Sequence, residues 1–384
     1  MKKVGIITLY HKNYNFGGQL QAYALQQKVE SLGFSAEVLD CDLSTVQGRR
    51  VERFKSLGLS KSLRIFYMKM RMKLKKMLNL EFKRNIERKN KKFKDFCDFI
   101  PHSEYAKADN ASVFADKYDM FITGSDQVWN PAIWCGVLLL DFVPVEKKKI
   151  SYAASILTTK FSEKEQLYLQ EQLSSFNAVS VREIGAKILL DQVCDVNITQ
   201  VLDPTLLWNA DFWENHMLPP KIEQPYAFVY MMGNRAGTKK LIRDFCRRNG
   251  LRMVLVPHNQ GHYRAEDEKY GDVLAYDIGP REWLGYIKNA NYVFMSSFHG
   301  TAFSLNFKKN FWSFEEPKLD APKGSMRMES LLMQIGLTDR IRQIDNFPSD
   351  EEIIKPIDYT GVNEKLAILQ NESEQFLKSA LGKR

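Results

Sequence analysis

The sequence predicts an α/β chain of two Rossmann-like, doubly wound domains facing a cleft. Three observations point to it. Short apolar runs alternate with stretches of helical periodicity. Loops rich in glycine and hydroxyl residues follow several of the runs. A proline-bearing stretch, Asp203-Pro204 and then Leu218-Pro219-Pro220 through Pro225, separates two such series.

The elements follow in order. Val4–Leu9 reads as a buried strand, and the loop Tyr10–Gly18 leads to a helix over Gln19–Leu32 with Ala22, Leu25, Val29 and Leu32 on one face and Gly33 as its stop. Ala36–Leu39, Tyr118–Thr123, Ile150–Ala154 and Ala178–Val181 read as further strands, with helices from Glu163 and from Glu183. Beyond the prolines, Tyr226–Met231, Arg252–Val256 and Tyr292–Met295 read as strands, with helices over Thr238–Arg248 and Arg281–Asn289. A loop, Ser296–Gly300, then precedes a helix entered at Thr301. The expected domains are 1–210 and 221–384, with a cleft at the C-terminal ends of both sheets.

The 384 residues provide length for two cores. Apolar residues at 44% and charged residues at 26% argue against a mainly disordered chain. No apolar run is long enough for a transmembrane helix, and MKKVGIITLY is too short in its apolar part for a secretory signal. The five cysteines are scattered, without paired metal-ligand spacing or a disulfide framework, which suits a reducing cytoplasm.

The net charge of +9 comes from one segment. Residues Arg49 to Lys94 hold 18 basic and three acidic side chains, leaving 37 basic and 43 acidic elsewhere. Within this basic helical insertion (49–98), Leu63, Phe66, Tyr67, Met70, Leu74, Met77 and Leu78 recur at helical spacing among lysines and arginines. Such a helix lies on an anionic membrane surface or docks its apolar stripe on the protein itself. Nucleic acid is not expected as a partner, because aromatics for base stacking are few and no binding module is present.

Four constellations carry candidate chemistry. Asn15-Phe16-Gly17-Gly18 sits between the first strand and helix, where two glycines and free helix N–H groups suit an anion or a sugar hydroxyl, or form a plain turn. Ser125-Asp126-Gln127 and Trp129 follow a strand. They read as a sugar-binding set with Asp126 as proton acceptor, or as a capped helix start with Trp129 in the core. Arg182 at a strand end suits a carboxylate or phosphate, with a pairing to Glu183 as the bland alternative. Ser296-Ser297-Phe298-His299-Gly300 is the sharpest: of six histidines only His299 falls in a strand-to-helix loop between hydroxyls and glycine, a setting for a general acid. His258 and His262 lie four apart without a third ligand, so no metal is assigned.

Taken together, NFGGQLQAYALQ (15–26), TGSDQVWNP (123–131), Ser180–Glu183, VLDPTL (201–206) and NANYVFMSSFHGTAFS (289–304) resemble the polysaccharide pyruvyl transferase family. The resemblance implies a glycosyltransferase-B-like fold with an acceptor side in domain 1–210 and a phosphoenolpyruvate side in 221–384. It implies phosphoenolpyruvate as donor and no cofactor. The partner is a sugar acceptor, expected to be lipid-linked at the inner face of the cell membrane, with pyruvate placed as a ketal on a hexose 4,6-diol. By that likeness His299 is the acid and Arg182 holds the donor. Many members carry an arginine two residues before the histidine. This chain has Ser297 there, so Lys323, Arg327 and Arg235, the last following Gly233-Asn234, are candidates to complete the anion site. The competing expectations are a nucleotide-sugar glycosyltransferase of the same architecture and a non-enzymatic basic protein that binds membrane surfaces.

Overall fold

The computed structural model describes residues 1–45, 80–233, 235–257, 266–316, 326–343 and 346–383. Strand β1 (Lys3–Ile7) is apolar and buried on both faces, the pattern of a central parallel strand. It pairs in parallel with β2 (Ser35–Val38). Two short strands, β3 (Cys41–Asp42) and β4 (Ala106–Lys107), make a separate pair. On its other side β1 pairs with β5 (Met120–Thr123), which pairs with β6 (Lys148–Ser151). Parallel bridges Ile150–Ala178 and Ala154–Val181 then connect to β7 (Val179–Val181), the partner of β8 (Ile198–Gln200).

The second sheet is also wholly parallel. Its strands are β9 (Tyr226–Tyr230), β10 (Arg252–Leu255), β11 (Val273–Leu274), β12 (Tyr292–Met295), β13 (Asn310–Glu315) and β14 (Ile341–Gln343), ordered β11-β10-β9-β12-β13-β14. Counted from β9 this is the Rossmann order 3-2-1-4-5-6, with its switch point between β9 and β12. The expected pair of doubly wound halves is therefore present.

Helices cover both sheets. Helix α1 (Phe16–Ser31) starts three residues before the sequence reading because the Asn15 side chain accepts from Gly18 N at 3.1 Å and caps it there. Its buried Gln21 donates to Thr8 Oγ1 and accepts from Ser125 N, which ties the ends of β1 and β5 together. Helix α2 (Leu80–Phe99) buries Phe82, Phe93 and Phe96, about 1.5–3 kcal/mol each. Phe93 packs on Phe16 at 5.1 Å, Phe82 meets Tyr276 edge-on, and Lys92 pairs with Glu282 at 2.8 Å. The described part of the basic insertion thus docks its apolar stripe on the protein, linking the start of α1 to the C-terminal half. The expected stripe from Leu63 to Leu78 lies outside the described residues.

The remaining helices are α3 (Glu163–Leu173), α4 (Ile184–Asp191), α5 (Ala210–Glu214), α6 (Ala236–Arg248), α7 (Pro280–Asn289), α8 (Phe298–Asn306), α9 (Arg327–Ile335), α10 (Asp350–Ile354) and α11 (Thr360–Leu381). The division at 210–221 separates the two sheets, but α11 crosses back. Its Leu377, Ala380 and Leu381 join the core around Val4 and Ile6, and Lys28 pairs with Glu374. Among the described residues, no helix is long and apolar enough to cross a membrane.

Candidate active site

The C-terminal strand ends of both halves converge. In the N-terminal half β5 runs into Gly124-Ser125-Asp126, β6 into Ala153-Ala154-Ser155, and β7 into Arg182-Glu183, while Asp203 follows β8. Asp126 sits in the left-handed region (φ 69°), and its carbonyl accepts from Ser155 N at 2.9 Å, locking two of these loops together. The other half contributes His299, just beyond β12. Ser297 caps α8 by accepting from Gly300 N, so the helix begins at Phe298 rather than Thr301 and His299 lies in its first turn.

Asp203 is the hub. Its Oδ2 accepts from Arg182 Nη1 at 2.9 Å and from Ser125 Oγ at 3.1 Å, and its Oδ1 accepts from Thr205 N and Oγ1 at 3.0 and 2.7 Å. His299 Nε2 stands 3.4 Å from Oδ2, close enough for charge attraction but without hydrogen-bond geometry. Burial alone would raise the Asp203 carboxyl. The charges of His299 and Arg182 and the Thr205 bonds outweigh it and hold the carboxyl far below the usual carboxylate range. Arg182 donates from Nε to Glu183 Oε1 at 3.1 Å and lays its guanidinium 4.0 Å from the Phe298 ring centre. Burial disfavours the Arg182 charge, and Glu183, Asp203 and Asp126 more than restore it.

His299 also meets the first turn of α1. A Cβ on Gly17 would lie 2.0 Å from His299 Nδ1, so only glycine admits the ring here. Phe16, beside it, is held by a parallel stack on Trp283 at 5.3 Å and an edge contact with Tyr230. Two helix N-termini, α1 and α8, therefore bracket the imidazole, an arrangement favourable to an anion.

The site has unfilled donors. Arg182 Nη2, Arg327 Nε and His299 Nε2 are buried without a hydrogen-bond partner, and so is the acceptor Glu183 Oε2. Burial and repulsion from Arg182 both depress the Arg327 guanidinium, and only partly do Glu183, Asp126 and Glu315 offset them. Burial pushes the Glu315 carboxyl up to about 7 against the opposing pull of Arg327. Buried cations held close together with open donor positions are what a densely anionic ligand requires. The cavity touching Glu183 and Arg327 measures about 20 Å³, room for little more than a water.

The other sequence candidates divide. Ser125 joins the Asp203 network, and Asp126 lies within charge range of Arg182 and Arg327. Ser296 accepts from Met232 N, tying β12 to the end of β9, and Gly300 packs on Met295. Gly233 has a φ of +78°, Arg235 pairs with Glu316 rather than joining the cluster, and Gly18 faces the Asn13 side chain. Gln127 accepts from Asn130. Trp129 corrects an expectation: it is fully buried, with its indole N–H bonded to Leu138 O, and has no face for a sugar. Asn234 and Lys323 lie outside the described residues. Among those described, no cluster of metal-ligating side chains occurs.

Sequence reasoning missed Asp203, Thr205 and Glu315, whereas the pairing of Arg182 with Glu183 was among its alternatives. Asp203-Pro204 read as linker punctuation, although the VLDPTL motif held the signal.

Comparison with known proteins settles the family. Residues 15–316 match the family described as polysaccharide pyruvyl transferase. The chain belongs to that family. No curated protein sequence matches this pyruvyl transferase family member. Among solved structures it is similar to the UDP-GlcNAc 2-epimerase of Methanocaldococcus jannaschii, at 10% identity, 99% of each chain covered and a TM-score of 0.48. It is also similar to an E. coli heptosyltransferase, at 10% identity, with 96% of this chain and 99% of the other covered and a TM-score of 0.39. The pyruvyl transferase family member has two Rossmann-like halves with wholly parallel sheets.

Proposed function

We propose that the protein transfers pyruvate from phosphoenolpyruvate to a sugar as a ketal. The observation that carries this reading is the set of buried, unfilled donors on Arg182, Arg327 and His299, gathered where two helix N-termini meet. Phosphoenolpyruvate carries a carboxylate and a phosphate on one small carbon frame, and two guanidinium groups match both anions.

In the proposed reaction His299 gives its proton to the methylene carbon of the enol. The adjacent carbon becomes an oxocarbenium ion, and a sugar hydroxyl bonds to it while Asp126 accepts the hydroxyl proton. Phosphate then leaves with its bonding electrons. A second hydroxyl of the same sugar closes the ketal and releases its own proton. Asp203, held ionised, attracts the imidazolium and fixes Arg182, which places it as a positioning residue. No step calls for a metal or redox group.

A lipid-linked saccharide of a bacterial surface polysaccharide, such as a capsule or exopolysaccharide, is the acceptor class we favour. The insertion is strongly basic, and Lys83, Arg84, Arg88, Lys91 and Lys94 on α2 stay exposed beside the docked apolar stripe. Such a surface favours a peripheral position on an anionic membrane. Incubation with phosphoenolpyruvate and oligosaccharide acceptors tests the reading: phosphate release coupled to a pyruvate ketal in the product is expected. Glycosyl transfer from a nucleotide sugar with inert phosphoenolpyruvate would overturn it.

A further inference from the structure

Helix α2 turns one stripe of side chains toward the body of the protein: Phe82, Ile86, Lys89, Phe93 and Phe96, spaced i, i+4, i+7, i+11 and i+14. Phe82, Phe93 and Phe96 are buried and Ile86 is half-buried, so a lysine stands where the pattern asks for an apolar residue. The other lysines of the helix behave differently. Lys83, Lys91 and Lys94 are exposed, and Lys92 pairs with Glu282.

The Lys89 ammonium stands between two rings, 5.0 Å from the centre of Phe16 and 5.6 Å from that of Phe93. Among the described residues it has no hydrogen bond and no ion pair. The carboxylates around α2 are engaged elsewhere: Asp277 with Arg88 at 3.3 Å, Glu282 with Lys92 at 2.8 Å, and Asp98 with Lys94. Burial pushes the ammonium down to about 8, so it remains charged at neutral pH. Ring faces attract a cation, but less strongly than withdrawal from water opposes it. An unpaired charge on an inward stripe breaks the local pattern without a gain inside the protein, which is what a ligand that supplies the counter-charge would explain.

The contacts of Phe16 tie Lys89 to the candidate active site. Phe16 is the first residue of α1, and the next, Gly17, packs so closely on His299 that a Cβ there would meet the imidazole. The Phe16 ring also meets Tyr230, whose carbonyl accepts from Ser296 N at the end of β12. The first turn of α1 holds no acidic side chain, so nothing there neutralises the cation. We infer that Lys89 binds a phosphate group of a substrate at the junction of the two halves, a contact supplied by the basic insertion. The assignment rests on the transfer reading above for the kind of substrate: the phosphate belongs to phosphoenolpyruvate or links the acceptor sugar to its lipid.

Titration calorimetry on the full chain tests it, with phosphoenolpyruvate and inorganic pyrophosphate as probes and pyruvate as the comparison without phosphate. At least one phosphate probe is expected to bind the wild type. Lys89→Met, which keeps the length and removes the charge, is expected to weaken that binding about ten- to a hundredfold, and Lys89→Arg to restore most of it. Lys164→Met, at an exposed lysine elsewhere, should leave it unchanged. A loss confined to phosphoenolpyruvate puts Lys89 on the donor, and one confined to pyrophosphate puts it on the acceptor's phosphate; either supports the assignment. Undiminished binding of both probes in Lys89→Met, an equal loss in Lys164→Met, no rescue by arginine, or no phosphate binding at all overturns it. Without ligand, Lys89→Met should melt at or above the wild type, because it completes the apolar stripe; a marked fall shows that the ammonium serves packing and overturns the assignment. Phosphoenolpyruvate bound equally by wild type and Lys89→Met, with pyrophosphate unaffected too, overturns Lys89 and leaves the donor reading standing. Pyrophosphate binding that depends on Lys89, with phosphoenolpyruvate inert, supports Lys89 and overturns the donor reading.

Discussion

Two regions of this protein are built on opposite plans. The cluster around Asp203 is buried and strongly charged, and it needs both halves of the molecule. The cavity at Trp134 is open, aromatic and without net charge in its lining, and it belongs to the N-terminal half alone. Buried charge at a domain junction is costly unless paired or filled, so it is retained where chemistry needs a preorganised field. An open aromatic cavity makes no such demand. The contrast sets the preorganised charge, and with it the proposed bond-making, at the junction.

Several variants break or sharpen this contrast, in decreasing order of effect. His299→Ala should lower the transfer rate by about 10²–10⁴ with the fold intact, measured as phosphate release alongside a thermal melt. Near wild-type turnover would remove the imidazole from the scheme. Trp129→Ala should destabilise the chain by about 3–5 kcal/mol in denaturant titration, because it empties a sealed core site. Trp134→Ala, beside a cavity that already exists, should cost clearly less. Gly17→Ala should push the His299 ring aside and cost about 10²-fold in rate with a modest change in stability.

The smallest effect concerns pH. Glu315 is raised by burial to about 7 in the folded chain, above its ordinary carboxyl range. Between roughly pH 4.5 and 7 the unfolded chain has released this proton and the folded chain keeps it. Folding stability therefore falls as pH rises through that window, by up to about 1.4 kcal/mol per unit, and Glu315→Gln should flatten the slope. Melts across that range check the sign, and an unchanged slope would show that Glu315 does not hold the proton.

Much of the fold was legible because it rests on local signals. The apolar runs at Val4, Tyr118 and Tyr292 became strands within a residue or two, and the prolines after Asp203 do separate two sheets. Helix starts were read three residues late at both α1 and α8, since Asn15 and Ser297 act as caps inside what looked like loops. His299, Arg182 and Ser125 were found because chemistry-bearing side chains stood at strand ends. Asp203 was passed over because its role depends on residues 21 and 96 positions away meeting it in space. Trp129 and Trp134 look alike in sequence; only the packing of Leu138 and Phe161 around them tells the core ring from the cavity wall. The return of α11 to the first sheet is likewise a long-range packing event.

The central claim is that the buried cluster around Asp203 receives phosphoenolpyruvate. Thermal unfolding of the wild type and of Arg327→Met, with phosphoenolpyruvate, phosphate, pyruvate and nucleotide sugars in parallel, tests it most directly. Phosphoenolpyruvate at 100 times its Kd should add about 2.7 kcal/mol to the wild type and much less to the variant, and the other ligands should do little. Stabilisation by a nucleotide sugar alone, or an equal phosphoenolpyruvate effect in both proteins, would contradict it.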